Sequence, residues 1–113
     1  MGAVFIEDGG YGASMAEVYN KLCADALHYS GHDPYNGTIS TSSGYIDMSR
    51  KFNALLGDKR KTGKHIRTCY DKIYEEAEDK TQKWEDFWGV EIPNSKSKSK
   101  KRRKFMFMGW AAE

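Results

Sequence analysis

The sequence predicts an α+β domain: an antiparallel sheet of about four strands, two long helices packed on one face, and a C-terminal β-hairpin with a long basic loop. Three observations carry this expectation. Residues 15–29 and 65–80 repeat apolar side chains at the helical period, and 84–92 and 105–111 alternate at the strand period. Between the last two, seven cations and no acid fall within nine residues, Lys96 to Lys104.

A chain of 113 residues fits one domain, 1–113. At that size about 65% of the surface exposed by the unfolded chain is buried on folding. Hydrophobic residues make up 39% and aromatics 13%, a globular composition. The mean hydropathy of −0.77 and 30% charged residues leave little apolar material to spare. Cys23 and Cys69 are too few and too distant for a disulfide framework, and each sits at the edge of a helical apolar stripe, where a thiol acts as a small hydrophobe. No charged-then-apolar leader opens the chain, and no apolar run approaches the ~20 residues that span a bilayer. The expectation is a reduced, soluble, cytoplasmic protein.

The first strand is Ala3 to Glu7, β-branched and aromatic, stopped by the turn residues Asp8-Gly9-Gly10-Tyr11-Gly12. Ser14-Met15-Ala16-Glu17 has the spacing of a capping box, in which hydroxyl and carboxylate each satisfy a backbone N–H left open by the first helical turn. Met15, Val18, Tyr19, Leu22, Ala26 and Tyr29 then share one helix face, and Gly31 supplies the left-handed closing residue. Asp33-Pro34-Tyr35-Asn36-Gly37 reads as a turn into a second strand, Thr38 to Thr41. Tyr45 to Met48 continues as a strand, and Ser49 caps a short helix through Leu56 that Gly57 ends.

After a polar loop, 57–64, a second long helix runs from His65 to Lys80 on Ile66, Cys69, Tyr70, Ile73 and Ala77. Its acids crowd the C-terminal end, where the macrodipole disfavours them, so that end frays unless Lys80 and Lys83 compensate. Trp84, Trp88, Val90 and Ile92 share one parity of a strand ended by Pro93-Asn94. Phe105, Phe107, Gly109 and Ala111 alternate with Met106, Met108 and Trp110, so the last strand is apolar on both faces, as befits a central one.

Each chemistry-bearing cluster has a structural reading beside the functional one. Gly9 to Ala13 ahead of a helix has the makings of a phosphate loop, but Glu7, Asp8 and Glu17 repel an anion there and a plain turn accounts for the glycines. His28 and His32 are four apart, with Asp33 as a third ligand, yet Gly31 ends the helix between them, so no metal is expected. Residues 31–41 gather an imidazole, a carboxylate, a phenol and several hydroxyls, but no nucleophile is marked. His32, Asp33, Tyr35 and Asn36 are therefore candidates for a binding surface, not for catalysis, and neither a catalytic residue nor a cofactor is expected.

The segment Gly31 to Thr41, the Lys83-Trp84 strand and the closing Lys104-Phe105-Met106-Phe107-Met108-Gly109-Trp110-Ala111 together resemble small phage and mobile-element proteins with a similar turn-strand and aromatic-Gly-Trp-Ala ending. Some small proteins of such elements block CRISPR or other host defences. The resemblance covers about a third of the chain, implies an anti-CRISPR-like or other anti-defence role without assigning site residues, and does not extend to the basic run. That run is read as a flexible hairpin loop, 94–104, because serines at 95, 97 and 99 interleave its lysines.

Charge is divided along the chain, with three cations against six acids in 1–57 and fifteen against ten in 58–113. Lys96, Lys98, Lys100, Lys101, Arg102, Arg103 and Lys104 are the candidate partner contacts, toward a host defence protein or ribonucleoprotein. The second expectation is a nucleic-acid-binding accessory protein using the same cations on phosphates, with Tyr11, Tyr35, Tyr45 and Trp110 as stacking platforms. Neither a membrane partner nor an oligomeric state is indicated.

Overall fold

The computed structural model describes residues 2–30, 38–57, 63–82, 85–93 and 103–112. Strand β1 (Ala3–Gly12) leads into helix α1 (Met15–Ser30); a 3₁₀ turn (Ile39–Thr41) and the short β2 (Tyr45–Asp47) follow. Helices α2 (Ser49–Leu56) and α3 (Gly63–Lys80) then carry the chain to β3 (Phe87–Ile92) and β4 (Arg103–Ala112).

The four strands form one sheet in the order β1-β4-β3-β2. β4 pairs antiparallel with both neighbours, Ala3 opposite Ala112 on one side and Trp88 opposite Met108 on the other. β2 runs parallel to β3, with Tyr45 opposite Phe87, which departs from an all-antiparallel sheet. The reason lies in the connection: α2 and α3 form a helical crossover between β2 and β3, and such a crossover returns the chain in the same direction.

Alternation along β3 and β4 divides the apolar side chains between two cores. Trp88, Val90, Met106 and Met108 meet α2 and α3 through Phe52, Leu56, Cys69, Ile73 and Ala77. Phe87, Phe105, Phe107 and Ala111 meet α1 through Met15 and Val18, with Ile39 beside them. The helices therefore cover both faces of the sheet, not one. A strand apolar on both sides requires this, because a single helical layer would leave half of β4 against water. Cys69 lies in the first core and Cys23 against the second; both thiols are free, on opposite sides of the sheet, beyond the reach of a disulfide.

The first strand is longer than its turn-like glycines suggest, running through Gly9, Gly10 and Gly12 in register with Met106, Phe105 and Arg103. A Cβ on Gly12 would come within 2.8 Å of Val18, so the glycine lets α1 lie close against the strand it follows. The capping box forms in a shifted version. Ser14 Oγ accepts the Glu17 N–H at 3.2 Å, while the Glu17 carboxylate accepts the N–H of Ala13 at 2.6 Å.

Residues 39–41 form a 3₁₀ turn where a strand is expected. The hydroxyls of Thr41 and Ser42 donate back to the carbonyls of Thr38 and Ile39, at 2.9 and 2.6 Å, which holds the backbone in a tight turn instead of a ladder. Thr41 Oγ1 also accepts the Ala112 N–H at 3.1 Å, pinning the end of β4. Ser49 is not the cap of α2. Asp47 accepts the Ser49 N–H at 2.9 Å, and the Ser49 hydroxyl accepts the N–H of Glu91 at 3.0 Å, tying the helix start to β3.

The acid-rich end of α3 is held rather than frayed. Lys51 and Lys80 both pair with Glu76, whose carboxyl the two ammonium groups hold below its usual range. Trp110 Nε1 donates to the Glu78 carbonyl and the Thr81 hydroxyl to that of Ala77, at 3.0 and 2.7 Å. Lys83 and Trp84 lie outside the described residues, as do positions 31–37 and 94–102.

A Cβ added to Gly109 would lie 2.5 Å from the buried Phe87 ring, whereas one on Gly63 meets nothing within 4 Å. Urea unfolding should therefore show Gly109→Ala losing about 1–3 kcal/mol to overpacking. Gly63→Ala should stay within about 0.5 kcal/mol of wild type or gain slightly from helix propensity.

Candidate functional site

Adjacent residues at the start of β4 point to opposite faces, so the base of the β3–β4 hairpin carries a cleft on each side. Arg103 enters the α1 side and Lys104 the α3 side.

On the α1 side, a cleft of ≈ 490 Å³ lies between the start of α1, the start of α2 and the hairpin base. Its polar centre is an ion pair. Both Glu91 oxygens accept from the Arg103 guanidinium, at 2.5 to 2.9 Å, and the same guanidinium lies 5.3 Å from the centre of the Phe105 ring and reaches the Ala13 carbonyl at 3.4 Å. The hydrogen bonds Arg103 donates to Glu91 favour the charged form and push Arg103 up. Of the seven cations proposed as partner contacts, this one is neutralised by the protein's own carboxylate.

On the α3 side, a cleft of ≈ 520 Å³ is floored by Met106 and Ile92, walled by Ile66, Tyr70 and Tyr74, and edged by Arg67, Asp71, Glu7 and Lys104. The two tyrosines are fixed in place. Tyr70 donates its hydroxyl to Glu7 at 2.5 Å, and burial, reinforced by that carboxylate, pushes the Tyr70 phenol well above its ordinary value of 10.0. Tyr74 stands edge-on to Phe5, ring centres 4.8 Å apart. Arg67 and Lys104 make no ion pair with any described residue.

Lys96, Lys98, Lys100, Lys101 and Arg102 lie outside the described residues, as do His32, Asp33, Tyr35 and Asn36, so of the candidate contacts the structure places only Arg103 and Lys104. Among the proposed stacking rings, Tyr45 packs on Tyr19 and Phe107 and belongs to the core. Trp110 is engaged by Glu78 and Phe5. Tyr11 is half exposed, beside its cross-strand partner Lys104; Tyr35 is not described.

Glu7 and Tyr70, sixty-three positions apart, line this candidate cleft together, a pairing that sequence reasoning misses. No local spacing links a strand carboxylate to a residue of a helical apolar stripe. Among the described residues no group of three His, Cys, Asp or Glu side chains gathers around a metal-sized space, and no helix is long and apolar enough to cross a membrane. No protein-family model, curated protein or solved structure matches the chain.

Two outcomes follow from this geometry. A double-mutant cycle on Arg103 and Glu91, both partly solvent-accessible, should give a coupling of about 0.5–1 kcal/mol, shrinking in molar salt. Tyr70 titrates higher in the folded chain than its ordinary 10.0, so its contribution is intact below pH 10 and falls as pH rises above it, where only the unfolded chain ionises. Tyr19, raised by burial to about 12, does the same between pH 10 and 12. Stability measured from pH 8 to 11 should thus decline above 10, and less steeply in Tyr70→Phe, which should itself cost about 1 kcal/mol at pH 7.

Proposed function

We propose that the protein is a non-enzymatic inhibitor of a host defence complex, such as a CRISPR effector, that works by covering an acidic protein or protein–RNA surface with the basic segment 96–104. The observation that carries this reading is the concentration of seven cations, with no acid, in a connection between strands that pair directly, Ile92 opposite Lys104. The pairing brings both ends of the segment to one end of a sheet buried on its two faces. Positive potential joined to a rigid base in this way speeds encounter with an acidic surface and fixes its orientation.

The resemblance to phage and mobile-element proteins supplies the biological setting, and the small single domain suits an inhibitor that acts by occupying a surface. Arg103, held by Glu91, serves as the anchor of the segment. Lys96 to Arg102 and Lys104 are its binding cations. A nucleic-acid-binding accessory role uses the same cations on phosphates, and the experiment below separates it from the inhibitor.

Expression in cells whose CRISPR effector targets a phage should restore plaque formation. A variant with Lys98, Lys100, Lys101 and Arg102 changed to serine should lose that protection, with stability within about 0.5 kcal/mol of wild type. In gel shifts, free RNA should bind weakly. If instead protection is absent and free single strands bind with a log–log salt slope near −4, as expected for about six neutralised phosphates, the accessory reading replaces the inhibitor.

A further inference from the structure

We infer that the cleft on the α3 side of the hairpin base docks one apolar side chain of an acidic polypeptide segment, a deepening that rests on the proposed binding role of segment 96–104. Three features meet there. The floor and one part of the wall are apolar, from Met106, Ile92 and Ile66, within a volume of ≈ 520 Å³ that accommodates a leucine or phenylalanine side chain. Arg67 and Lys104 stand at the edge without a carboxylate partner among the described residues, complementary to acids flanking the inserted side chain. Ile92, the end of β3, and Lys104, the second residue of β4, both line the cleft and flank the basic segment in sequence, so a partner bound to that segment is brought near the cleft.

The lining favours polypeptide over nucleic acid. Stacking needs an open ring face, and here Tyr70 and Tyr74 are half-buried against the core, packed on each other and, for Tyr74, on Phe5. Glu7 and Asp71 also place negative charge on the edge, which repels a continuous phosphate backbone more than a peptide whose charges can be spaced around them. Among the described residues Tyr11, exposed beside Lys104, offers a base a ring on this side, so a single strand is the competing occupant.

The test is a titration of isotope-labelled protein, followed by NMR, with the peptide Ser-Glu-Ser-Leu-Ser-Glu-Ser, whose two spaced acids match Arg67 and Lys104, with its alanine-centred counterpart, and with an oligothymidylate. The leucine peptide should bind about tenfold more tightly than the alanine peptide and shift the signals of Ile66, Arg67, Tyr70 and Met106. Arg67→Glu, an exposed change, should weaken the leucine peptide while leaving the fold's spectrum intact. In the variant with Lys98, Lys100, Lys101 and Arg102 changed to serine, both peptides should weaken and the tenfold ratio should persist. That ratio reports the cleft, and the overall loss reports the basic segment. Equal binding of the two peptides, no binding of either, shifts confined to other surfaces, or tighter binding of oligothymidylate at the cleft would each overturn the inference. The first and third of these leave the basic segment's role standing.

Discussion

A strand whose side chains are apolar on both faces cannot leave either face to water, and β4 is such a strand. Phe105, Phe107 and Ala111 on one side and Met108 on the other are each at most 2% exposed. This requirement places α1 on one face and α2 with α3 on the other, and it makes the sheet the shared floor of two cores. Burying the phenylalanine and methionine side chains contributes about 1.5–3 kcal/mol each, so no single hydrogen bond at the surface competes with it. The surface chemistry is then arranged around a fixed base: Arg103 turns to one side, Lys104 to the other, because neighbouring residues of a strand alternate.

That alternation gives the two clefts their different characters. On the α1 side, Glu91 meets Arg103 because the two lie near each other at the hairpin base, and the cation is consumed within the protein. On the α3 side, Lys104 makes no ion pair among the described residues, and the Glu7 carboxylate beside the same cleft accepts from the Tyr70 hydroxyl. The same cationic run thus contributes a structural anchor at one residue and an open charge at the next. The proposed partner surface follows from the second, and its placement depends on the first.

Elements whose apolar period is long and regular were legible from sequence: α1 through Met15, Val18 and Leu22, α3 through Cys69, Ile73 and Ala77, and the central position of β4 from its two apolar faces. What local pattern cannot carry is the choice among long-range arrangements. Gly10 and Gly12 have the chemistry of a turn, and only the approach of Val18 explains their place in a strand. Thr38 to Thr41 has strand composition, but the hydroxyls of Thr41 and of Ser42 after it bond the local backbone. The direction of β2 depends on what the α2–α3 crossover packs against, and three residues of strand contain no trace of it. At the site, the basic run is visible in any reading, whereas the cleft beside it joins residues 7, 67, 70 and 104 and exists only once the sheet has closed.

Native-state hydrogen exchange measures the dependence on β4 most directly. If the strand is the common floor of both cores, the amides of Phe105 to Ala111 exchange only through global unfolding, and core amides of α1 and α3 share one opening free energy with them. If α1 exchanges through its own lower-energy opening while β4 and α3 stay protected, the two cores are independent, and the account of a sheet held from both sides is contradicted.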